Sequence, residues 1–471
     1  MSRTPQEPQS VSAGVKDLLP RLRSLLGKDR VLTEPEDLSV YAFDGTAMLH
    51  ELPACVVLPE SVDEVSGILS LASEGGVPVV PRGSGSGLSG GSVPSPGCIV
   101  LCLVRLNRIE AVDTDNLTMT VQAGVLTQAV ADRAVAAGLF YPPDPGSIAI
   151  STIGGNVANN SGGLRGLKYG VTRDYVMALQ VVLADGQVLE TGSQCVKDVA
   201  GFGLKDLFIG SEGALGVITG ITLRLTPPPA SKKTLLALFD RMTDAADSIS
   251  RIISRQIIPC TLEFLDRVTI ECVEGYARIG LPLDCEAIVL MEADGHPAQV
   301  AEEAEEMARI ASETGAREVR TASSEEEATR LAAARRTAFS ALARLAPTVL
   351  LEDVTVPRSE LARMVKFIQE TGERHGVRVG TFGHMGDGNL HPTFLTNERE
   401  PEALRRAEQA MREVFTETIR LGGTITGEHG VGLAKKPYLQ QQIGPVGMEV
   451  MRRLKSTFDP QGILNPGKVF D

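Results

Sequence analysis

Residues 77–91 read Val77-Pro78-Val79-Val80-Pro81-Arg82-Gly83-Ser84-Gly85-Ser86-Gly87-Leu88-Ser89-Gly90-Gly91, an apolar run that ends in five glycines within nine positions. A strand entering such a loop leaves unhindered backbone N–H groups that can nest an anion. Gly85, Gly87 and Gly90 have the GxGxxG spacing, but a Rossmann turn must be followed at once by a helix. Gly91, Pro94 and Pro96 forbid one, so the Rossmann reading is set aside. The expectation is a diphosphate cradle not built on a helix end, formed by Arg82, Gly83, Ser84, Gly85, Ser86, Gly87, Leu88 and Gly90.

A second glycine-rich stretch follows, with Pro143, Gly146 and Ser147, then Thr152, Gly154, Gly155 and Asn156, then Asn160, Gly162 and Gly163. It is expected to add a further wall of backbone donors. A third, Gly210–Thr219, carries Glu212, Gly216, Val217 and Ile218 into an apolar strand that could line the same cavity.

Far downstream lie two segments of a different kind, His384-Met385-Gly386-Asp387-Gly388-Asn389-Leu390-His391 and Gly427-Glu428-His429-Gly430; three of the chain's six histidines fall inside them. Gly386, Asp387 and Gly388 favour a tight turn between two strands, which would bring His384 and His391 to one point. Glu428 would complete a set of two nitrogen ligands and one carboxylate with positions left open, as divalent metal catalysis requires; zinc or manganese fits. His429, next in the chain, suits a general base with a pKa near neutrality, or a residue supporting the ligands.

At 471 residues the chain exceeds the size of one hydrophobic core, so two or three domains are expected. Residues 1–12 read as a flexible tail, followed by an amphipathic helix over 15–26 that Gly27 stops. From 51 to 225 short apolar runs bounded by Gly, Pro or Asp read as strands with few helices between them. Pro227-Pro228-Pro229 marks a boundary, after which strands alternate with helices at 242–255, 297–314, 323–345, 358–375 and 400–421. The formal net charge of −13 opposes an electrostatic grip on nucleic acid. No run of about 18 apolar residues and no basic-then-apolar start is present, which gives a cytoplasmic reading. The seven cysteines contain no CxxC pair, arguing against a disulfide framework, a zinc knuckle or an iron–sulfur cluster. Cys98 and Cys102 should share one face of a buried strand.

The order PRGSGSGLSGG, IGGNVANNSGG and GSEGALGVIT resembles the FAD-binding domain of the vanillyl-alcohol oxidase and PCMH-type flavoproteins. The His384–His391 and Gly427–Gly430 segments, with the closing Phe458-Asp459-Pro460 and Leu464-Asn465-Pro466-Gly467-Lys468, are similar to the C-terminal half of the FAD-linked D-2-hydroxyacid dehydrogenases. This resemblance runs over about residues 30–471. It implies an α+β chain with an N-terminal tail and helix over 1–50, a PCMH-type FAD-binding domain over 51–229, and a ferredoxin-like α+β C-terminal domain over 230–471 carrying the metal and substrate site. It implies noncovalent FAD, since Ser86 stands where covalently flavinylated members carry histidine, and it adds Asn465 to the cofactor set. It also implies His384, His391 and Glu428 as metal ligands, His429 as the substrate-contacting base and Arg335 as the carboxylate clamp.

The resemblance further implies a small 2-hydroxy acid as substrate and an external electron acceptor: an iron–sulfur subunit, a quinone or a cytochrome. A homo- or hetero-oligomer follows, placed at the membrane only through a partner. Leu351, where 2-hydroxyglutarate enzymes resemble one another in a lysine, favours glycolate or D-lactate over D-2-hydroxyglutarate. Two rival readings stand beside this one. A metal-only hydrolase or oxygenase predicts metal without flavin, and a noncatalytic companion subunit has no need of an open metal site.

Overall fold

A computed structural model describes residues 13–471; the tail expected over 1–12 lies outside them. Helix Ala13–Leu26 turns Val15, Leu18, Leu22 and Leu26 onto helix Val62–Gly75, and Gly27 ends it at φ 84°. These residues join the largest hydrophobic core.

Strands Val31–Leu32, Cys55–Val57, Ile99–Cys102 and Val79–Arg82 lie side by side in that order, the last three parallel. A parallel sheet covered on both sides reads as unbroken apolar sequence. The period of two is nevertheless visible in the packing. Cys55, Val57, Val79, Ile99 and Leu101 enter the main core, while Val56, Val80, Cys98, Val100 and Cys102 face a second, smaller cluster. Cys98 and Cys102 thus share a face, as expected. A five-stranded antiparallel sheet, Ile109–Asp113, Thr118–Gln122, Val217–Arg224, Val176–Val182 and Val188–Gly192, completes the first half.

The second half is an eight-stranded sheet. Ser231–Phe239, Thr261–Asp266, Ala287–Gly295 and Ala316–Thr321 stand in spatial order fourth, first, third, second, with helices Met242–Ser254 and Pro297–Glu313 in the first and last connections. This is the ferredoxin-like arrangement. Arg378–Gly383, Asn389–Thr396 and Thr348–Leu351 extend it, and Val354–Thr355 pairs with Asn389–Thr396. The chain is α+β, as expected.

Three elements differ from the sequence reading. The helix expected over 323–345 breaks into Glu325–Arg336 and Ala338–Leu342. Helix Lys436–Phe458, unforeseen, carries Gly444 at φ 73° before Pro445, two residues that disguise its periodicity. The chain end returns to the first half, where Leu464 bridges Val79 in parallel and joins the main core with Ile463.

Candidate functional site

A cavity of about 610 Å³ is lined by residues of both halves, a volume within the roughly 300–1,000 Å³ of cofactor and small-molecule sites. Its wall includes residues 82–88, Gly146, Ser147, Thr152, Gly154, Gly155, Asn156, Glu212, Gly216, Val217 and Ile218; Arg335, His384, His391, Glu428 and His429 line the same cavity. No helix follows the first loop. Among the described residues, no N–H of residues 83–88 donates to a protein acceptor. A row of N–H groups left open at a cavity wall suits an anionic ligand such as a diphosphate. Arg82 supports the loop: its Nη1 donates to the Phe43 carbonyl at 2.7 Å, and a Cβ at Gly85 would fall on its guanidinium.

In the second stretch the N–H groups of Gly146 and Ser147 meet no acceptor among the described residues, but the part from Thr152 to Asn156 departs from its expected role as a wall of donors. Residues Ile153–Asn159 form a helix capped by Thr152, whose Oγ1 accepts the Gly155 N–H at 3.3 Å. The N–H groups of Ile153 and Gly154 are taken by the carbonyls of Val125 and Ala123. The glycines permit close approach instead: a Cβ at Gly154 would lie 2.6 Å from Ala123 Cβ.

Six expected cofactor residues stand outside the cavity wall. Gly90 lies against Leu49 and Leu433, Gly162 beside the Glu428 carboxylate, and Gly163, at φ 128°, against the Asp144 carbonyl. Asn160 ends the Ile153–Asn159 helix in the left-handed region and accepts the Arg173 N–H at 2.9 Å. Pro143 is buried in the segment leading to Asp144. Asn465 Nδ2 donates to the carbonyls of Gly91 (2.9 Å) and Glu212 (2.7 Å), which ties the chain end to the cradle.

The histidine signature folds as strand, turn, strand: Arg378–Gly383, a single turn over Met385–Asp387 and Asn389–Thr396, with Gly388 at φ 91°. His384 Nε2 and His391 Nε2 lie 3.2 Å and 3.4 Å from Glu428 Oε1, and one ligand atom from each of the three residues falls within 4.8 Å of the other two. The His391 ring stacks on His429, centroids 5.1 Å apart and 12° from parallel. His429 Nδ1 is buried without a partner among the described residues. Burial pushes the His429 imidazole down to about 4 despite Asp353 nearby, rather than leaving it near neutrality as expected.

Arg335, 5% exposed, sets Nε 2.5 Å from Glu263 Oε2, with its guanidinium 4.7 Å from the Phe382 ring centroid. Its Nη2 has no acceptor among the described residues. Arg336, also at the cavity, is instead paired with Asp144 at 2.7 Å.

Sequence reasoning missed the groups that hold this cluster. Glu263, fully buried on Thr261–Asp266, meets His384 Nδ1 at 2.6 Å and so turns Nε2 toward Glu428. Burial favours the neutral forms of these groups, but Arg335 and His384 hold Glu263 below the usual carboxylate range. Glu263 and Glu428 in turn hold His384 well above the usual imidazole value. Against the same penalty, the two histidines hold Glu428 well below the carboxylate range. Asp353, fully buried, accepts the N–H groups of Gly427, Glu428 and His429 at 2.9, 3.0 and 2.9 Å. Lys435, 1% exposed, stands 3.5 Å from the same oxygen. The acidic pair Glu352-Asp353 after an apolar strand was the available sequence signal; Glu263 inside TLEFLD was the other. Glu212, expected to touch the cofactor, also accepts the N–H groups of Val431 and Gly432 at 2.6 and 2.8 Å.

Residues 53–192 match the model of the FAD binding domain family, and residues 228–469 that of the FAD linked oxidases, C-terminal domain. The chain is 50% identical over 455 residues to glycolate oxidase subunit GlcD of Bacillus subtilis (strain 168), covering 97% of each protein. It is 38% identical to a D-lactate dehydrogenase of Archaeoglobus fulgidus, over 91% of this chain and 95% of that one. Among solved structures, p-cresol methylhydroxylase with substrate bound superposes at a TM-score of 0.82, with 19% identity and 98% of each chain covered, which is a likeness of fold.

Proposed function

The chain belongs to the FAD-linked oxidase family, and from that premise we propose that it oxidises a small 2-hydroxy acid, glycolate or D-lactate, to the 2-keto acid. One observation carries the reading: an N–H-lined glycine cradle and a His384–His391–Glu428 cluster with His429 and Arg335 line a single cavity.

The unused N–H groups of residues 83–88 fit a diphosphate, and the noncovalent FAD expected there would lie along the cavity wall. His384, His391 and Glu428 fit a divalent metal, zinc or manganese: two imidazoles and a carboxylate converge, and Glu263 fixes the His384 tautomer. Bound flavin supplies a hydride acceptor, and a bound metal supplies Lewis acidity toward the carboxylate and hydroxyl oxygens.

The residues of the chain do the rest. Arg335 presents Nη2 to the substrate carboxylate, fixed in place by Glu263 and Phe382. His429, which lines the cavity and whose Nδ1 has no partner among the described residues, takes the hydroxyl proton. Gly162 brings the backbone close to the Glu428 carboxylate, where a Cβ would lie 3.2 Å from Oε2. Electrons then leave to an external acceptor, an iron–sulfur subunit, a quinone or a cytochrome. The relative of nearly equal length is itself named as a subunit, and six of the seven cysteines here are buried. We place the protein in the cytoplasm, at a membrane only through such a partner; among the described residues no helix is long and apolar enough to cross one.

D-2-hydroxyglutarate is the alternative substrate. Leu351 lines the cavity where a second substrate carboxylate would need a cation, and Arg336 there is already engaged by Asp144. Dye-linked turnover on glycolate, D-lactate and D-2-hydroxyglutarate tests this. The monocarboxylates should lead by at least about tenfold in kcat/KM, and equal or faster turnover of D-2-hydroxyglutarate would replace the assignment.

A further inference from the structure

The two oxygens of Asp353 have separate duties. Oδ1 accepts from Asn389 Nδ2 at 2.6 Å, on the strand that carries His391. Oδ2 accepts the N–H groups of Gly427, Glu428 and His429 and the Thr426 hydroxyl at 2.7 Å, and so holds the loop that carries Glu428. The contact is close enough to dictate sequence: a Cβ at Gly427 would lie 2.5 Å from both Asn389 Nδ2 and Thr355 Oγ1. Asn389 Nδ2 also reaches the Val354 carbonyl and Thr355 Oγ1, at 3.2 and 3.0 Å. Strand and loop are therefore pinned to one carboxylate, which Lys435 neutralises from behind. His384 is set independently, through Glu263.

We infer that Asp353 is the positioning residue that fixes Glu428 relative to His391, and hence the affinity of the three-residue cluster for a divalent cation. The inference rests on the metal reading above and deepens it. Asp353 also lies within reach of His391 and His429 as an alternative cation site, but its Oδ2 is fully occupied by donors and its Oδ1 lies 4.0 Å from His391 Nδ1. It acts through the neighbouring residues. Groups that orient ligands in this way affect metal affinity by about 10- to 100-fold.

The test is equilibrium dialysis of Mn²⁺ and Zn²⁺ against the full-length, flavin-loaded, metal-stripped protein. Asp353→Asn keeps the shape but sets an amide donor toward one of the donors it replaced an acceptor for. Its dissociation constant should rise by about 10- to 100-fold while flavin content and spectrum stay unchanged. With Co²⁺ loaded, its visible ligand-field bands should differ from those of the wild type, a change that a purely stabilising residue would not produce. If loss of the Asp353 charge beside Lys435 prevents folding, Asp353→Asn/Lys435→Met removes that cation as well. Asn389→Ser, which keeps the carboxylate and removes the Oδ1 link together with the Nδ2 contacts to the Val354 carbonyl and Thr355 Oγ1, should weaken binding by a smaller factor. Folded variants that bind within twofold of the wild type with unaltered cobalt bands overturn the inference and leave the metal reading standing. A wild type that takes up no stoichiometric metal overturns both.

Discussion

The cradle and the charge cluster line one cavity by opposite means. In the cradle the working surface is backbone: residues 83–88 offer N–H groups, and Gly83, Gly85 and Gly154 are glycine because Thr152, Arg82 and Ala123 occupy the space a Cβ would need. In the cluster the working surface is side chain. Glu263, Asp353, Glu428, His384, His391, Arg335 and Lys435 are all buried or nearly so, and the carboxylates are tolerated because imidazole, guanidinium or ammonium groups face them. A backbone site fails when something is added. A buried ionic site fails when something is taken away, because the partner left behind is stranded.

That contrast can be broken by experiment, starting where the effect is largest. Glu428→Gln should lower kcat/KM by about 10³-fold or more, roughly 4 kcal/mol, while the flavin absorbance of the purified protein is retained; simultaneous loss of flavin would mean the two regions are not separable. Next comes pH. Burial pushes the Glu352 carboxyl up to about 7 against the pull of Lys435. Its proton is held more tightly folded than unfolded, so its contribution is fully present below about 4.5 and is lost as pH rises toward 7. Glu352→Gln removes that dependence, and thermal melts should show the variant gaining on the wild type between those limits by up to about 3 kcal/mol. A parallel loss in both proteins would place the penalty elsewhere.

The cradle should respond to added bulk. Gly154→Val drives carbon into Ala123, and overpacking of this kind costs about 1–3 kcal/mol; flavin affinity should fall about tenfold or more with metal stoichiometry unchanged. The smallest effect is expected at Arg335→Lys, which keeps charge but loses the planar fork. The KM for the 2-hydroxy acid should rise about tenfold with kcat less affected, and a kcat-only effect would remove Arg335 from carboxylate binding.

The same contrast explains what was legible beforehand. Glycine spacing reports a backbone requirement at the position itself, so the loop at 82–88 and its lack of a following helix could be read directly. His384, His391 and Glu428 were legible because imidazoles are rare in this chain and sit around a turn-forming Gly-Asp-Gly. Their supports were not. Glu263 lies in an ordinary strand run, 121 residues from His384, and Asp353 is 75 residues from Glu428, so only the tertiary fold brings them together. The helix Ile153–Asn159 was hidden because Gly154 and Gly155 are poor helix formers, the first of them demanded by close packing against Ala123. Arg335 could be placed only by resemblance, since its Ala-rich helix gives no periodic signal that it turns inward.

The most direct test of the shared cavity is the anaerobic absorption spectrum of the flavin-loaded protein mixed with glycolate or D-lactate, before and after the metal is stripped. Oxidised flavin bands should bleach rapidly in the metal-loaded protein, stay oxidised in the stripped one and bleach again once the metal is restored. Bleaching at the same rate without metal would contradict a joint role for the cradle and the His384–His391–Glu428 cluster.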